Sequence, residues 1–300
     1  HEEFRQANDE DTSLDVLEKL SSHKQLEIRK SVALNRGSSD EILKTLINDK
    51  EEIVRNSVWR HPTSIVSRKA LIGKNVKIGQ FTTVYDHVEI LDNTIIQGYC
   101  EIGVSSDLAI KKKVVLGEDS LIRSGTVIYE GVYSKSKLVT GHKVTIRENT
   151  EIGHNLQVGT LSDIQGDCII GDYVRMHSNV HIGKKSLINN FVWIFPYVVL
   201  TNDPHPPSEI MKGVVLEEYS VICTMSVVLP GVTIKKGCLV GAGSAINCRT
   251  EEHMLYSGNP GRKICPTSKI RLKDGTKRRA YPWIDHFKRG YPHEVVEKLK

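Results

Sequence analysis

The proton chemistry available to this chain rests on histidine, whose unperturbed pKa of ~6.5 suits it to take and return a proton near neutral pH. Five of its twelve histidines stand out. His142 sits in Thr140-Gly141-His142, and His205 sits in Thr201-Asn202-Asp203-Pro204-His205-Pro206-Pro207. Asp203, two residues before His205, can orient an imidazole or hold a polar ligand, with the Asn202 amide beside it. His154, His177 and His181 read as turn or surface histidines, although His177 and His181 could still face a cleft. Lys111-Lys112-Lys113, Lys135, Lys137 and Lys143 are suited to phosphate contacts or are solvated loop charge. No pair of the six cysteines forms a CxxC motif, and they read as buried free thiols of a reducing compartment.

A six-residue period positions these groups. Branched aliphatics recur at Ile72, Ile78, Val84, Ile90, Ile96 and Ile102, then at Leu116, Ile122 and Ile128. They continue at Ile146, Ile152, Val158, Ile164, Ile170, Met176, Ile182, Ile188, Ile194 and Leu200, and end at Ile222, Val228, Ile234, Val240 and Ile246. A period of six fits neither a 3.6-residue helix nor an alternating hairpin. It fits a short strand followed by a turn, with the aliphatic pointing inward and a small residue four positions on, where the wall bends. Gly, Asn and Asp supply the turn backbone. Three sides close one coil of a triangular prism, so 24 hexads predict about eight parallel coils stacked ~4.8 Å apart. Breaks in the period predict loops at Val104–Val115, Tyr129–Val144 and Thr201–Glu218, and loops on a rigid scaffold often carry function.

These hexads over about residues 70–265 resemble the hexapeptide-repeat, or isoleucine-patch, acyltransferases. The resemblance implies a left-handed parallel β-helix, a homotrimer with active sites between prisms, and transfer of an acyl group from a coenzyme A thioester. His205-Pro206 falls where many relatives carry a loop His-Pro that supplies the catalytic base. Thr201-Asn202-Asp203 looks like a segment of the nucleotide-aminosugar N-acetyltransferases, some of which use no protein base there. The resemblance thus implies His205, and as runner-up His142, as catalytic residues. Asn202, Asp203 and His181 become candidates for acceptor binding. Gly241, Ala242, Gly243 and Ser244 match a stretch that lines the coenzyme A channel in relatives, with Arg262 and Lys263 suited to its phosphates. The leading reading is an acetyltransferase using acetyl-CoA and a sugar acceptor, an aminosugar or nucleotide-linked sugar of a surface glycan. A non-catalytic scaffold is the alternative. A γ-carbonic-anhydrase-like zinc enzyme on the same fold is a third, weakened because His142, His177 and His181 lack that family's spacing.

The flanks differ from the repeat. Val16–Leu20 recurs as Ile42–Leu46 and Ile28–Val32 as Val54–Val58, both at an offset of 26, with apolar residues at helical spacing. This resembles leucine-rich-repeat-variant or HEAT-like arrays, and it reads equally as a protein-docking surface and as a cap on the open end of the β-helix. Asp40 is placed to cap the helix beginning near Glu41. The division expected is a helical segment over 1–66, a β-helix over 67–266 and an extension over 267–300. The extension ends in a helix over Glu294–Lys300, and it caps the prism, straps a trimer or closes over the donor site. Aromatics are only 6% of residues, which suits a core of stacked aliphatics. A net charge of +5 is too balanced for nucleic acid. No apolar run is long enough to span a bilayer and no signal sequence opens the chain, which begins at His1 like a trimmed or tagged chain. A cytoplasmic location follows as an expectation.

Overall fold

Each hexad places one branched side chain inward on a two- or three-residue strand, and stacking these strands pairs their backbone groups with the coils above and below. The computed structural model describes residues 1–55 and 57–298. Its β region is a parallel β-helix whose strands lie in three sheets of ten, nine and eleven. Register advances by one coil at a time: Asp163 lies beside His181 and Ile164 beside Ile182, while Arg175 lies beside Trp193 and Met176 beside Ile194. The inward aliphatics form one continuous core, with Ile146, Ile164, Ile182 and Leu200 fully buried.

The stack is taller than the eight coils expected, for a definite reason. Tyr129–Val144 is not a loop. Strands Tyr133–Ser134 and Val139–Thr140 continue the ladder in register with Glu151–Ile152 and Gln157–Val158. Ser134 and Thr140 occupy the inward aliphatic position and are buried. Their hydroxyls accept from the neighbouring coil, Ser134 Oγ from the Gly117 N–H at 3.2 Å and Thr140 Oγ1 from the Arg123 N–H at 2.9 Å. Polar side chains that bond to the ladder hide from an aliphatic period. Strands Ile65–Val66 and Val215–Leu216 also extend the helix, with aliphatic Val66 and Leu216 at the inward position, so the third loop ends before Val215.

The glycine after the aliphatic also has a reason other than turn geometry. A Cβ on Gly117 would stand 2.3 Å from the Lys135 carbonyl, and one on Gly159 would stand 2.3 Å from the His177 carbonyl carbon. The next coil's backbone passes too close for any side chain. The left-handed turn position lies two residues later and holds mostly other residue types, including Asn149, Asn155, Asn179, Tyr173 and Phe191.

Helices α1 (Glu2–Asn8), α2 (Leu14–Ser21), α3 (Leu26–Leu34), α4 (Asp40–Leu46) and α5 (Glu52–Arg55) precede the coils. The cap of α4 is Ser39, whose side chain accepts from the Ile42 N–H, and not Asp40, which is the first helical residue. Asn35 ties the array together by donating to the carbonyls of Ala7 and Asp9. Arg29 and Asp49 form a two-pronged ion pair at 2.7 and 3.0 Å, nearly buried between helices. Leu43 and Trp59 belong to the same buried cluster as Val76 and Ile78 of the first coils. The Trp59 carbonyl accepts from the Ile78 N–H. The helical segment therefore closes the open end of the prism.

At the other end, strands Met254–Ser257 and Arg262–Pro266 form a hairpin on the eleven-stranded sheet. The extension then folds back along the outer face of that sheet. Trp283 and Tyr291 pack with Phe191, Val221 and Leu239, and the Trp283 indole donates to the Tyr219 carbonyl at 3.3 Å. It covers a flank of the prism and is more than an end cap. Helix α6 spans His293–Lys298, one residue earlier than expected, and Leu299 and Lys300 of the expected helix lie outside the described residues. No helix among the described residues is long and apolar enough to cross a membrane. All six cysteines are free, with Cys100, Cys168 and Cys238 buried and the other three half-buried. Burial pushes the Cys168 and Cys238 thiols up to about 11, so they pack as small apolar groups.

Candidate functional site

The two candidate bases sit on different edges of the prism. His142 follows strand Val139–Thr140 at the bend from the eleven-stranded into the ten-stranded sheet. Its backbone N–H donates to Thr160 Oγ1 at 3.2 Å, and it lines a cavity of about 420 Å³ with Arg123, Gln157, Thr160 and Ser178. His205 lies at the next bend, in the loop that leaves strand Val199–Leu200 for the nine-stranded sheet. Within one chain the two are not brought together.

His205 is exposed. The oxygens of Asp203 are taken up by the loop itself: they accept from Ser208 Oγ at 2.6 Å and from the backbone N–H groups of Ser208 and His205. The Ser208 hydroxyl, first of all, holds the Asp203 carboxyl below its ordinary range. Asn202 closes the loop by accepting from the Lys212 N–H and donating toward Met211 Sδ. This arrangement fixes the loop's shape and leaves the His205 ring to solvent.

His181 is placed differently. It points outward from strand His181–Ile182 of the ten-stranded sheet, beside Asp163 of the preceding coil. Its Nδ1 is 3.2 Å from Asp163 Oδ2, and both side chains are partly exposed. Burial alone would push the Asp163 carboxyl up. Hydrogen bonds from His181 and Gln165, with the nearby charge of Arg147, outweigh that and hold it below its ordinary value. Arg147 packs over the Tyr129 ring and pairs with Glu148 at 3.0 Å. On the β-helix, among the described residues, this is the one ion pair between a histidine and a carboxylate. Both partners stand on adjacent strands of one sheet. Sequence reasoning placed His181 among ligand contacts but missed Asp163. The signal was an offset of 18, three hexads, which puts two residues on adjacent coils of one face.

The proposed donor-site residues do gather. Gly241 donates its N–H to the Tyr256 carbonyl, and Tyr256 pairs with Lys263 and Ser257 with Arg262. Their local chemistry is partly committed to the fold. A Cβ on Gly241 would meet Ser257 Oγ at 2.7 Å, whereas one on Gly243 would meet nothing within 4 Å. The Ser244 hydroxyl is buried, donating to the Gly241 carbonyl and accepting from the Gly258 N–H. Lys263 pairs with Glu251 at 2.6 Å. Arg262 and Ala242 are exposed. The loop lysines Lys111 and Lys113 pair with Glu151 and Glu89. Among the described residues, no three His, Cys, Asp or Glu side chains assemble as a metal-binding group.

The model of the bacterial transferase hexapeptide family (six repeats) matches residues 69–103. An acyl-[acyl-carrier-protein]--UDP-N-acetylglucosamine O-acyltransferase of Campylobacter concisus is 24% identical over 201 residues, which cover 65% of this chain and 62% of that protein. The bifunctional protein GlmU of Thermotoga sp. is 28% identical over 222 residues, covering 73% of this chain and 41% of its own length. The chain thus spans less than two thirds of either relative. Among solved structures, the UDP-N-acetylglucosamine acyltransferase from Campylobacter jejuni aligns at 17% identity and a TM-score of 0.48, over 80% of this chain and 81% of that one. The repeat that the family model matches in the first coils continues strand by strand to Ile246, so the similarity to hexapeptide-repeat transferases extends in pattern along the whole stack.

Proposed function

We propose that this chain is an acyltransferase in which His181, oriented by Asp163, is the general base. The donor is a coenzyme A thioester, acetyl-CoA in the simplest case, and the acceptor is a hydroxyl or amine of a sugar, including nucleotide-linked aminosugars. The observation that carries this reading is the 3.2 Å contact between His181 and an ionised Asp163 on adjacent coils. A carboxylate at Nδ1 fixes the imidazole and leaves Nε2 to accept a proton. The acceptor oxygen or nitrogen attacks the thioester carbonyl, and its proton passes to Nε2. As the tetrahedral intermediate collapses, the C–S bond breaks and the thiolate leaves, regaining that proton. Asp163 stays ionised throughout and stabilises the imidazolium.

The relatives named as acyltransferases support the reaction class. The exposed faces around His181 suit a cleft completed by a second chain, in keeping with a homotrimer, and Gly243, Ala242 and Arg262 remain open to a donor. His142 lies in a groove on another edge of the prism that shares Gln157 and Ser178 with the adjoining cavity, and His205 lies on its loop, both available for acceptor contact. The test is thiol release from acetyl-CoA with a panel of sugar acceptors. His181→Gln should lower kcat ~10²–10⁴-fold with donor affinity unchanged. If His181→Gln turns over normally while His205→Ala or His142→Ala is inactive, the base is on the loop or at the other bend and this assignment is wrong.

A further inference from the structure

The extension encloses a cleft that the transfer reading does not use. Between the eleven-stranded sheet and residues 272–287 lies a chamber of about 240 Å³, walled by Trp193, Phe195, Val221, Leu272, Trp283 and Phe287. Three of these walls, Trp193, Phe195 and Phe287, also border a second chamber of about 560 Å³. The second chamber is cationic. Arg175 and Arg289 line it, and no Asp or Glu lines either chamber.

Arg175 is the decisive residue. It is 4% exposed, and it is held between the side-chain oxygen of Asn155 at 3.0 Å and the Gly290 carbonyl at 2.8 Å, with its guanidinium 4.7 Å from the centre of the Tyr291 ring. Carbonyls and a ring face satisfy its donors but do not neutralise its charge. Arg289 packs over Phe287. Neither arginine forms an ion pair among the described residues. His177 stacks on Phe195 at 4.7 Å, and burial lowers its imidazole from the ordinary value, which disfavours a further positive charge there. A buried guanidinium without a carboxylate favours an anion strongly, because burying an unpaired charge is costly.

We propose that this cleft binds an amphipathic anion, with an aliphatic chain of about eight carbons in the apolar chamber, since ~150 Å³ already admits a benzene ring, and a carboxylate or phosphate head against Arg175 and Arg289. The polar residues on the smaller chamber's wall are Tyr281 and His286, the latter already bonded to the Ala280 carbonyl, and this argues against a nucleobase, whose edges need more hydrogen-bond partners. The ligand enters between the sheet and the tail, so binding fastens the tail to the prism. The cationic chamber shares Gln157 and Ser178 with the cavity beside His142, but binding is read without turnover, so its failure leaves the acyltransferase reading, which rests on His181 and Asp163, standing.

Quenching of Trp193 and Trp283 fluorescence tests it, with octanoate, octyl phosphate, butanoate and neutral 1-octanol as probes. Saturable binding of at least one eight-carbon anion is expected. Butanoate should bind far more weakly, at about fourfold per methylene lost, and octanol about tenfold more weakly for want of a charge-assisted bond. Stronger binding of octanoate marks a free acyl acid as the source, and stronger binding of octyl phosphate marks a phosphate ester. Arg289→Gln should weaken the anions about tenfold and leave octanol unchanged. Ala280 also lines the apolar chamber, and Ala280→Phe, which fills it, should abolish binding of all four. Octanol binding as tightly as both anions, no eight-carbon anion binding at all, or anion affinity unmoved by Arg289→Gln would overturn the proposal. Arg289 is exposed, so its variant keeps the test valid even if Ala280→Phe disturbs the tail.

Discussion

At the scale of single residues, the chemistry turns on what each carboxylate is already doing. Asp203 is consumed in shaping its loop and has no oxygen directed to a catalytic partner. Asp163 is held ionised by His181 and Gln165 and is aimed at an imidazole. The difference decides which variant loses activity. Asp163→Asn removes the carboxylate that orients His181, so kcat/KM should fall ~10²-fold or more. Asp203→Asn should leave kcat/KM nearly unchanged. An unchanged kcat/KM for Asp163→Asn, measured with one acceptor, would disconnect the pair from the proton step. Sequence alone made histidines visible as a type, but which one has a carboxylate neighbour depends on coil registry. That registry is readable only when residues 18 apart are compared.

At the scale of elements, the hexad was legible because its inward position is nearly always aliphatic. It failed at Ser134 and Thr140, where the inward side chain bonds to the ladder of the next coil. A segment that reads as a basic loop is instead regular wall, and His142, Lys135 and Lys137 are turn residues on rigid coils. The glycine after each aliphatic yields a second prediction. At Gly117 a methyl group would meet the Lys135 carbonyl at 2.3 Å, and a backbone group cannot swing away. Gly117→Ala should destabilise the coil by ~1–3 kcal/mol, seen as a lower denaturant midpoint. Gly243→Ala meets no neighbouring atom and should cost less, although its positive φ of 67° still disfavours alanine. Equal midpoints for Gly117→Ala and the native chain would mean that the coils are not packed this closely.

At the scale of the whole molecule, a solenoid must protect its two ends and find use for its three faces. Leu43 and Trp59 protect the first coil, which decides between the two readings of the helical segment on its inner side and leaves its outer surface available to a partner. The cap depends on Arg29 and Asp49. Hydrogen bonding to Arg29 holds the Asp49 carboxyl below its ordinary value. Its contribution is therefore complete above about pH 4, near the unfolded value of ~3.9, and is lost as pH falls through the depressed folded value. Asp49→Ala should remove it at all pH values and leave Arg29 buried alone, costing ~3 kcal/mol in the unfolding of the cap. A melting profile of that variant identical to the native one at pH 7 would show the pair to be dispensable. The extension's path was not legible, because nothing in Tyr281–Phe287 states which face receives it. The receiving aromatics Phe191, Trp193 and Tyr219 lie at turn and outward positions, where the repeat tolerates any residue.

The proposed acyl transfer from coenzyme A requires that the chain bind the donor, and calorimetric titration with acetyl-CoA measures that. Saturable binding at micromolar affinity is expected, about one site per chain, weakened by added salt when Arg262 contributes to phosphate binding. Absence of binding heat and of thermal stabilisation at millimolar acetyl-CoA would contradict it.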